Sequence, residues 1–323
     1  MSVIQKWCVA VCLLVNVAVN VAMSTSVKAE VSGDLNWVQP TPSNEPKAIQ
    51  TSVEKSASQA VSPNTGEPTP SVAQPQISPK LIIIIDDLGN NRQQMEAATQ
   101  LPAGVTFAVL PHTPFAPHIG KLARASGREL MLHLPMANHS GNALGKGGLM
   151  ADMPVEQRQA TFQAALASLP QVKGVNNHMG SLLTEDSDAM AWLMAELKSR
   201  DLYFVDSLTS AKSVAWKQAQ AKQLPFLKRH IFLDHEITTE FIDQQFTKGL
   251  TIAKSRGYAV LIGHPYPETL AYLSEALPKL IAEQSVELLP ASALSDLAER
   301  QALLARYQQR FTQLAQAKQA SLN

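Results

Sequence analysis

The chain has 323 residues, more than the roughly 100 to 200 of a typical domain, but barrels of alternating strands and helices reach about 250 as one unit. Apolar residues make up 45% of it, enough for a sizeable core, and 27 basic residues balance 27 acidic ones. A formal charge of zero excludes the basic excess that phosphate backbones select, so no nucleic-acid partner is expected.

The start of the chain points to export. Lys6 gives a positive beginning, residues 8–23 are mostly apolar, and Val27-Lys28-Ala29 has the form of a small-residue cleavage site. Residues 1–29 therefore read as a signal peptide; the alternative, a retained anchor, meets an apolar run of about 15 where a bilayer needs roughly 20. Cleavage removes Lys6 and Lys28 and no acid, leaving 25 basic against 27 acidic residues, a net of −2. Both cysteines, Cys8 and Cys12, leave with it, so the mature chain has no disulfide, no thiol nucleophile and only His and carboxylate as metal ligands. The expected location is periplasmic or secreted, with no membrane span after cleavage.

Residues 30–78 are rich in Pro, Ser, Thr, Gln and Asn and carry too little apolar surface to offset the entropy of ordering. They read as a disordered tether. At Leu81 the texture changes to a continuous aliphatic run, 81–85, the pattern of a strand buried on both faces. Similar runs recur at 105–110, 129–133, 173–176, 202–205, 230–233, 258–262 and 286–289, separated by helical spacing at 155–169, 186–200, 241–256 and 267–283. Alternation of this kind means βα units. Up to eight strands without a dinucleotide-type glycine fingerprint favour a distorted (β/α)7-8 barrel over residues 79–298, with an open doubly wound sheet as the alternative. Residues 299–323 read as a C-terminal helix and tail, and the thin stripe of Leu297, Leu304, Tyr307 and Phe311 packs on the barrel or, alternatively, meets a partner.

Function in such folds sits where the strands end. Those ends are polar here: Asp86-Asp87, His133, Asn176-Asn177-His178, Asp206-Ser207, Asp234-His235-Glu236 and Gly263-His264. Two adjacent carboxylates closing a buried strand repel each other and resist desolvation, and a cation compensates both effects. Imidazoles and carboxylates are the ligand set of a catalytic zinc site with an open position. For Asp234, His235 and Glu236, nothing in the spacing demands chemistry, and helix capping accounts for them.

From about Lys80 to Leu297 these strand ends resemble the polysaccharide deacetylases, most closely their divergent branch. The resemblance implies the carbohydrate-esterase-like barrel, with Asp86 as catalytic base and Asp87 as a metal ligand. It makes His133, at the end of Gly127-Arg128-Glu129-Leu130-Met131-Leu132-His133, a second ligand, and His264, in Leu261-Ile262-Gly263-His264, the general acid. Asp206 resembles the acid that orients that histidine. The usual second histidine, four residues after the first, is Ala137 here, and His178 in Asn176-Asn177-His178-Met179-Gly180-Ser181 is expected to supply the missing imidazole. The implied activity is hydrolysis of N- or O-acetyl groups on a cell-envelope polysaccharide, peptidoglycan-like or other, with a divalent metal, zinc by preference. Two rivals stand beside it. Glycosidic cleavage needs two carboxyl groups roughly 5 to 9.5 Å apart, which adjacent Asp86 and Asp87 do not supply by themselves. A catalytically inactive envelope protein that binds glycan or a cell-wall partner would need no metal.

Overall fold

The computed structural model describes residues 78–320. The expected signal peptide, and the expected tether apart from Ser78, lie outside the described residues. Among the described residues, strands and helices alternate: β1 (Lys80–Leu88), α1 (Arg92–Ala98), β2 (Thr106–Val109), α2 (Ala116–Ser126), β3 (Leu130–Met136), α3 (Val155–Ala167), β4 (Gly174–Met179), α4 (Ser187–Lys198), β5 (Tyr203–Asp206), α5 (Ala215–Ala221), β6 (Phe226–Lys228), β7 (Ile231–Phe232), α6 (Thr239–Arg256), β8 (Tyr258–Gly263), α7 (Pro267–Ala282), β9 (Glu287–Leu288) and α8 (Leu297–Ala320). None of these helices is long and apolar enough to cross a membrane.

All strand pairs are parallel, in the order β6-β5-β4-β3-β2-β1-β8-β7, with β9 beside β1. The two ends of that path are neighbours in sequence. Between β6 and β7 lie Arg229 and His230, whose N–H groups donate to Asp206 O at 3.0 Å and to Val260 O at 2.8 Å. One segment thus completes both edges of the curled sheet, which is a distorted α/β barrel and not an open doubly wound sheet. β6 was not expected as a strand, because three residues are too few to show a run in sequence.

Side chains alternate across a strand, and here that alternation sorts the core into two parts. Leu81, Ile83 and Ile85 face outward with Leu132, Val175, Phe204, Leu233 and Leu261 and pack under the helices. Ile82 and Ile84 face inward with Ala108, Met131, Tyr203, Val205, Val260 and Ile262 and fill the barrel. All five residues from Leu81 to Ile85 are fully buried, which explains the unbroken aliphatic run. The start of α8 closes the bottom of the barrel. Leu303, with Ala291 and Leu294, belongs to the interior cluster, and Arg300 donates to the carbonyls of Phe226, Leu294 and Ser295. The lower interior is therefore closed and largely apolar, its polar groups Thr106 and the Tyr203 hydroxyl both donating to Glu129. Two residues further along each strand, the inward positions become Asp86, His133, Asn176, Ser207, Asp234 and His264, and the polar layer so formed is the candidate site.

Candidate active site

Each side chain of this layer owes its direction to strand parity. Asp86 follows Ile82 and Ile84 inward, His133 follows Met131, His178 follows Asn176, and His264 follows Val260 and Ile262. Asp87 would point outward by the same rule. Its φ of 57° places it in the left-handed region, which Asp tolerates better than most residues, and the β1–β2 register shifts between Ile85 and Leu88. That break turns both carboxylates toward the site.

Three atoms converge there. Asp87 Oδ1 lies 3.1 Å from His133 Nε2 and 2.8 Å from His178 Nδ1, and the two ring nitrogens are 3.1 Å apart. The imidazole planes cross at 72°. Although Asp87 Oδ1 is this close to both rings, it is buried and aligned with neither as a hydrogen-bond acceptor. Two imidazole nitrogens and a carboxylate oxygen gathered within about 3 Å of one another are the donor set that a bound cation draws together. A tetrahedral zinc with ligands at about 2.0–2.2 Å sets its ligand atoms roughly 3.3 Å apart, so the donor set and its spacing fit a divalent ion. Among the described residues, Asp87, His133 and His178 form the one such cluster of three.

Asp86 and His264 flank this triangle. Asp86 Oδ2 is 3.7 Å from His133 Nε2, and His264 Nε2 is 3.9 Å from Asp87 Oδ2. Burial raises the Asp86 carboxyl above its ordinary range, against the pull of His133 and His264. Burial also opposes ionisation of Asp87, but its contacts with His133 and His178 outweigh that and hold it far below the usual range. His133 is pushed up to about 9: burial disfavours its charge, and Asp86 and Asp87 more than compensate. A field that draws a proton onto a buried imidazole favours a metal cation at the same place.

Residues 83–295 match the sequence profile of the divergent polysaccharide deacetylases. The chain belongs to that family. It is 33% identical over 223 residues to the protein YibQ of Escherichia coli K12, covering 69% of each chain. It is 36% identical over 201 residues to a Haemophilus influenzae Rd protein, covering 62% of this chain and 72% of that one. An Agrobacterium tumefaciens C58 protein of known structure shares the fold, with a TM-score of 0.65 at 24% identity over 67% of this chain and 89% of that one.

One feature of this family member departs from what sequence suggested, and a second agrees with it. The first is the carboxylate on His264. Asp206 is not there: it accepts from Leu208 N–H at 2.9 Å, from Ser213 Oγ at 2.7 Å and from Trp216 N–H at 3.3 Å, tying the β5–α5 loop. Parity explains why, since Asp206 follows Phe204 on the outward face. Asp234 instead follows the inward Phe232. It meets His264 Nδ1 at 2.9 Å, takes the His264 backbone N–H at 2.5 Å and the Thr269 hydroxyl at 2.8 Å. Burial works against charge on His264, but Asp234 beside it raises its pKa above the ordinary value. The inward parity of Asp234, two residues past an interior aromatic, was the signal that could have found it.

The second feature is position 137. Ala137 is buried, its N–H donating to Leu149 O and its carbonyl accepting from Leu182 and Leu183. His139, two residues on, turns away and sets Nε2 3.3 Å from Glu185. It is not part of the triangle. A groove of about 570 Å³ opens on Asp87 and His178, walled by Pro111, Thr113, Leu144 and Lys146.

Proposed function

We propose that this protein is an exported, metal-dependent deacetylase that hydrolyses N- or O-acetyl groups on a cell-envelope polysaccharide. The observation that carries the reading is the triangle of Asp87 Oδ1, His133 Nε2 and His178 Nδ1, flanked by Asp86 and by a His264–Asp234 pair. Membership of the family supports the substrate class.

Asp87, His133 and His178 would hold the divalent ion, zinc by preference for this ligand set. Such an ion makes a water nucleophilic near neutral pH and polarises the acyl carbonyl. Asp86 faces the same space without belonging to the ligand triangle, and there takes the proton of the attacking water. His264 keeps its Nδ1–H on Asp234, so that a second proton on Nε2 is available for the departing amine or alkoxide. The C–O bond to water forms, the acyl C–N or C–O bond breaks, and acetate leaves with the glycan amine or hydroxyl regenerated. The groove beside Asp87 and His178 gives an extended chain access to this point. Export through the leader of residues 1–29 would deliver the enzyme to its glycan.

The test is metal analysis of the purified protein together with acetate release from a panel of acetylated cell-wall glycans. One equivalent of a divalent ion and chelator-sensitive acetate release are expected. A protein that takes up no metal yet binds glycan would be a non-catalytic envelope protein instead.

A further inference from the structure

Asn176 lies between the proposed base and the proposed ligand set, fully buried on β4 opposite His133 on β3. Its Nδ2 is 2.8 Å from Asp86 Oδ1 and 3.4 Å from Ser207 Oγ, and its Oδ1 is 2.8 Å from His133 Nδ1. The direction of every bond in this chain follows from what each group can do. Asn176 Nδ2 donates to Asp86 Oδ1, which fixes which way round the amide sits. The amide oxygen is then left toward His133, and an oxygen can only accept, so Nδ1 must carry the hydrogen. His133 Nε2 is thereby left as the atom that turns to Asp87 and His178, its lone pair open to a cation that displaces the proton. The same amide grips Asp86 by Oδ1 and leaves Oδ2 turned to the triangle, 3.7 Å from His133 Nε2.

We propose that Asn176 is a positioning residue that couples the ligand set to the base: one amide sets the tautomer of His133 and the rotation of Asp86. This inference rests on the metal-site reading above and adds to it a residue that touches neither substrate nor ion. Asn177, its neighbour, has a different task, because parity turns it outward, where Oδ1 takes the Ser207 N–H at 2.9 Å and Nδ2 donates to Met179 O at 2.8 Å.

Two substitutions separate the two halves of the role. Asn176→Ala removes both, whereas Asn176→Asp retains an acceptor for His133 Nδ1–H, the carboxylate–histidine pairing of many metal sites, but removes the donor to Asp86 and sets two carboxylates side by side. The probe is Co²⁺ titrated into the full chain, followed by visible absorption, with kcat and KM for acetate release measured in parallel and melting curves confirming the fold. Loss of an outer partner typically costs 10- to 100-fold in metal affinity, so Asn176→Ala should weaken Co²⁺ binding by about that factor and lower kcat. Asn176→Asp should keep Co²⁺ affinity within about threefold while kcat falls and KM holds. If Asn176→Ala does not fold, Asn176→Asp still decides the matter. Co²⁺ affinity unchanged in Asn176→Ala, or kcat unchanged in Asn176→Asp, would overturn the role. Failure of the underlying reading looks different, since the wild-type chain would then take up no Co²⁺ at all.

Discussion

Asp206 and Asp234 are both buried aspartates at strand ends, and one strand position of parity separates their fates. The outward Asp206 organises a loop, while the inward Asp234 holds His264. Asp234→Asn keeps the size of the side chain but weakens the acceptor that raises the His264 pKa. It should lower kcat by about 10²-fold or more with metal content unchanged. Asp206→Asn should lower the melting temperature and leave kcat within a few-fold. Equal kinetic losses in the two variants would remove the distinction.

A second residue-scale consequence lies far from the site, at His230. Its Nδ1 accepts the Val260 N–H at 3.0 Å, and burial first, then Arg256, Lys228 and Arg300, push its pKa down to about 4. Tyr258 packs edge-on against the ring. The folded state therefore refuses a proton that the unfolded chain, with a pKa near 6.5, accepts. The stability of that neutral contact is fully present above about pH 6.5 and is lost as pH falls toward 4. Melting curves between pH 7 and 4 should fall less steeply for His230→Gln than for wild type, and parallel curves would contradict the assignment.

At the scale of elements, the turn that ends β1 carries the most constraint. Asp87 sits at positive φ, and two residues later Gly89 has φ 123°, with a built Cβ 2.1 Å from Thr113 Oγ1 and 2.9 Å from Thr113 Cβ. Only glycine meets both conditions. Gly89→Ala should cost about 2 kcal/mol or more and, by displacing the Asp87 backbone, weaken metal uptake as well. An unchanged melting temperature would refute this. Elements also mark the limit of what sequence displays. β1 was legible because both of its faces are buried and the whole run is aliphatic, and the strand ends at His133, His178 and His264 were legible because polar groups close apolar runs. β6 was not, since three residues joined to β7 by two more show no periodicity of their own. Nor was the geometry of Asp87, whose inward turn depends on one left-handed residue and a register shift that composition does not encode.

At the largest scale, the barrel of the described residues is closed at the bottom and carries its polar layer at the top. Arg300 and Leu303 make the first part of α8 an integral plug, although the sequence suggested a terminal helix laid against a finished barrel. Arg300→Ala takes a buried donor from the carbonyls of Phe226 and Leu294, while Ser295 O keeps the Phe226 N–H, and should lower stability by about 2–4 kcal/mol, read as a clear drop in melting temperature. A melting temperature equal to wild type would show that the plug is dispensable.

The central claim is that His178, and not His139, completes the metal site that Ala137 leaves short of a histidine. Two protein ligands hold a catalytic divalent ion poorly compared with three. The most direct measurement is metal occupancy of purified wild type, His133→Ala, His178→Ala and His139→Ala proteins under identical loading. The account predicts that His178→Ala loses metal about as severely as His133→Ala while His139→Ala keeps it. Full occupancy in His178→Ala would contradict it.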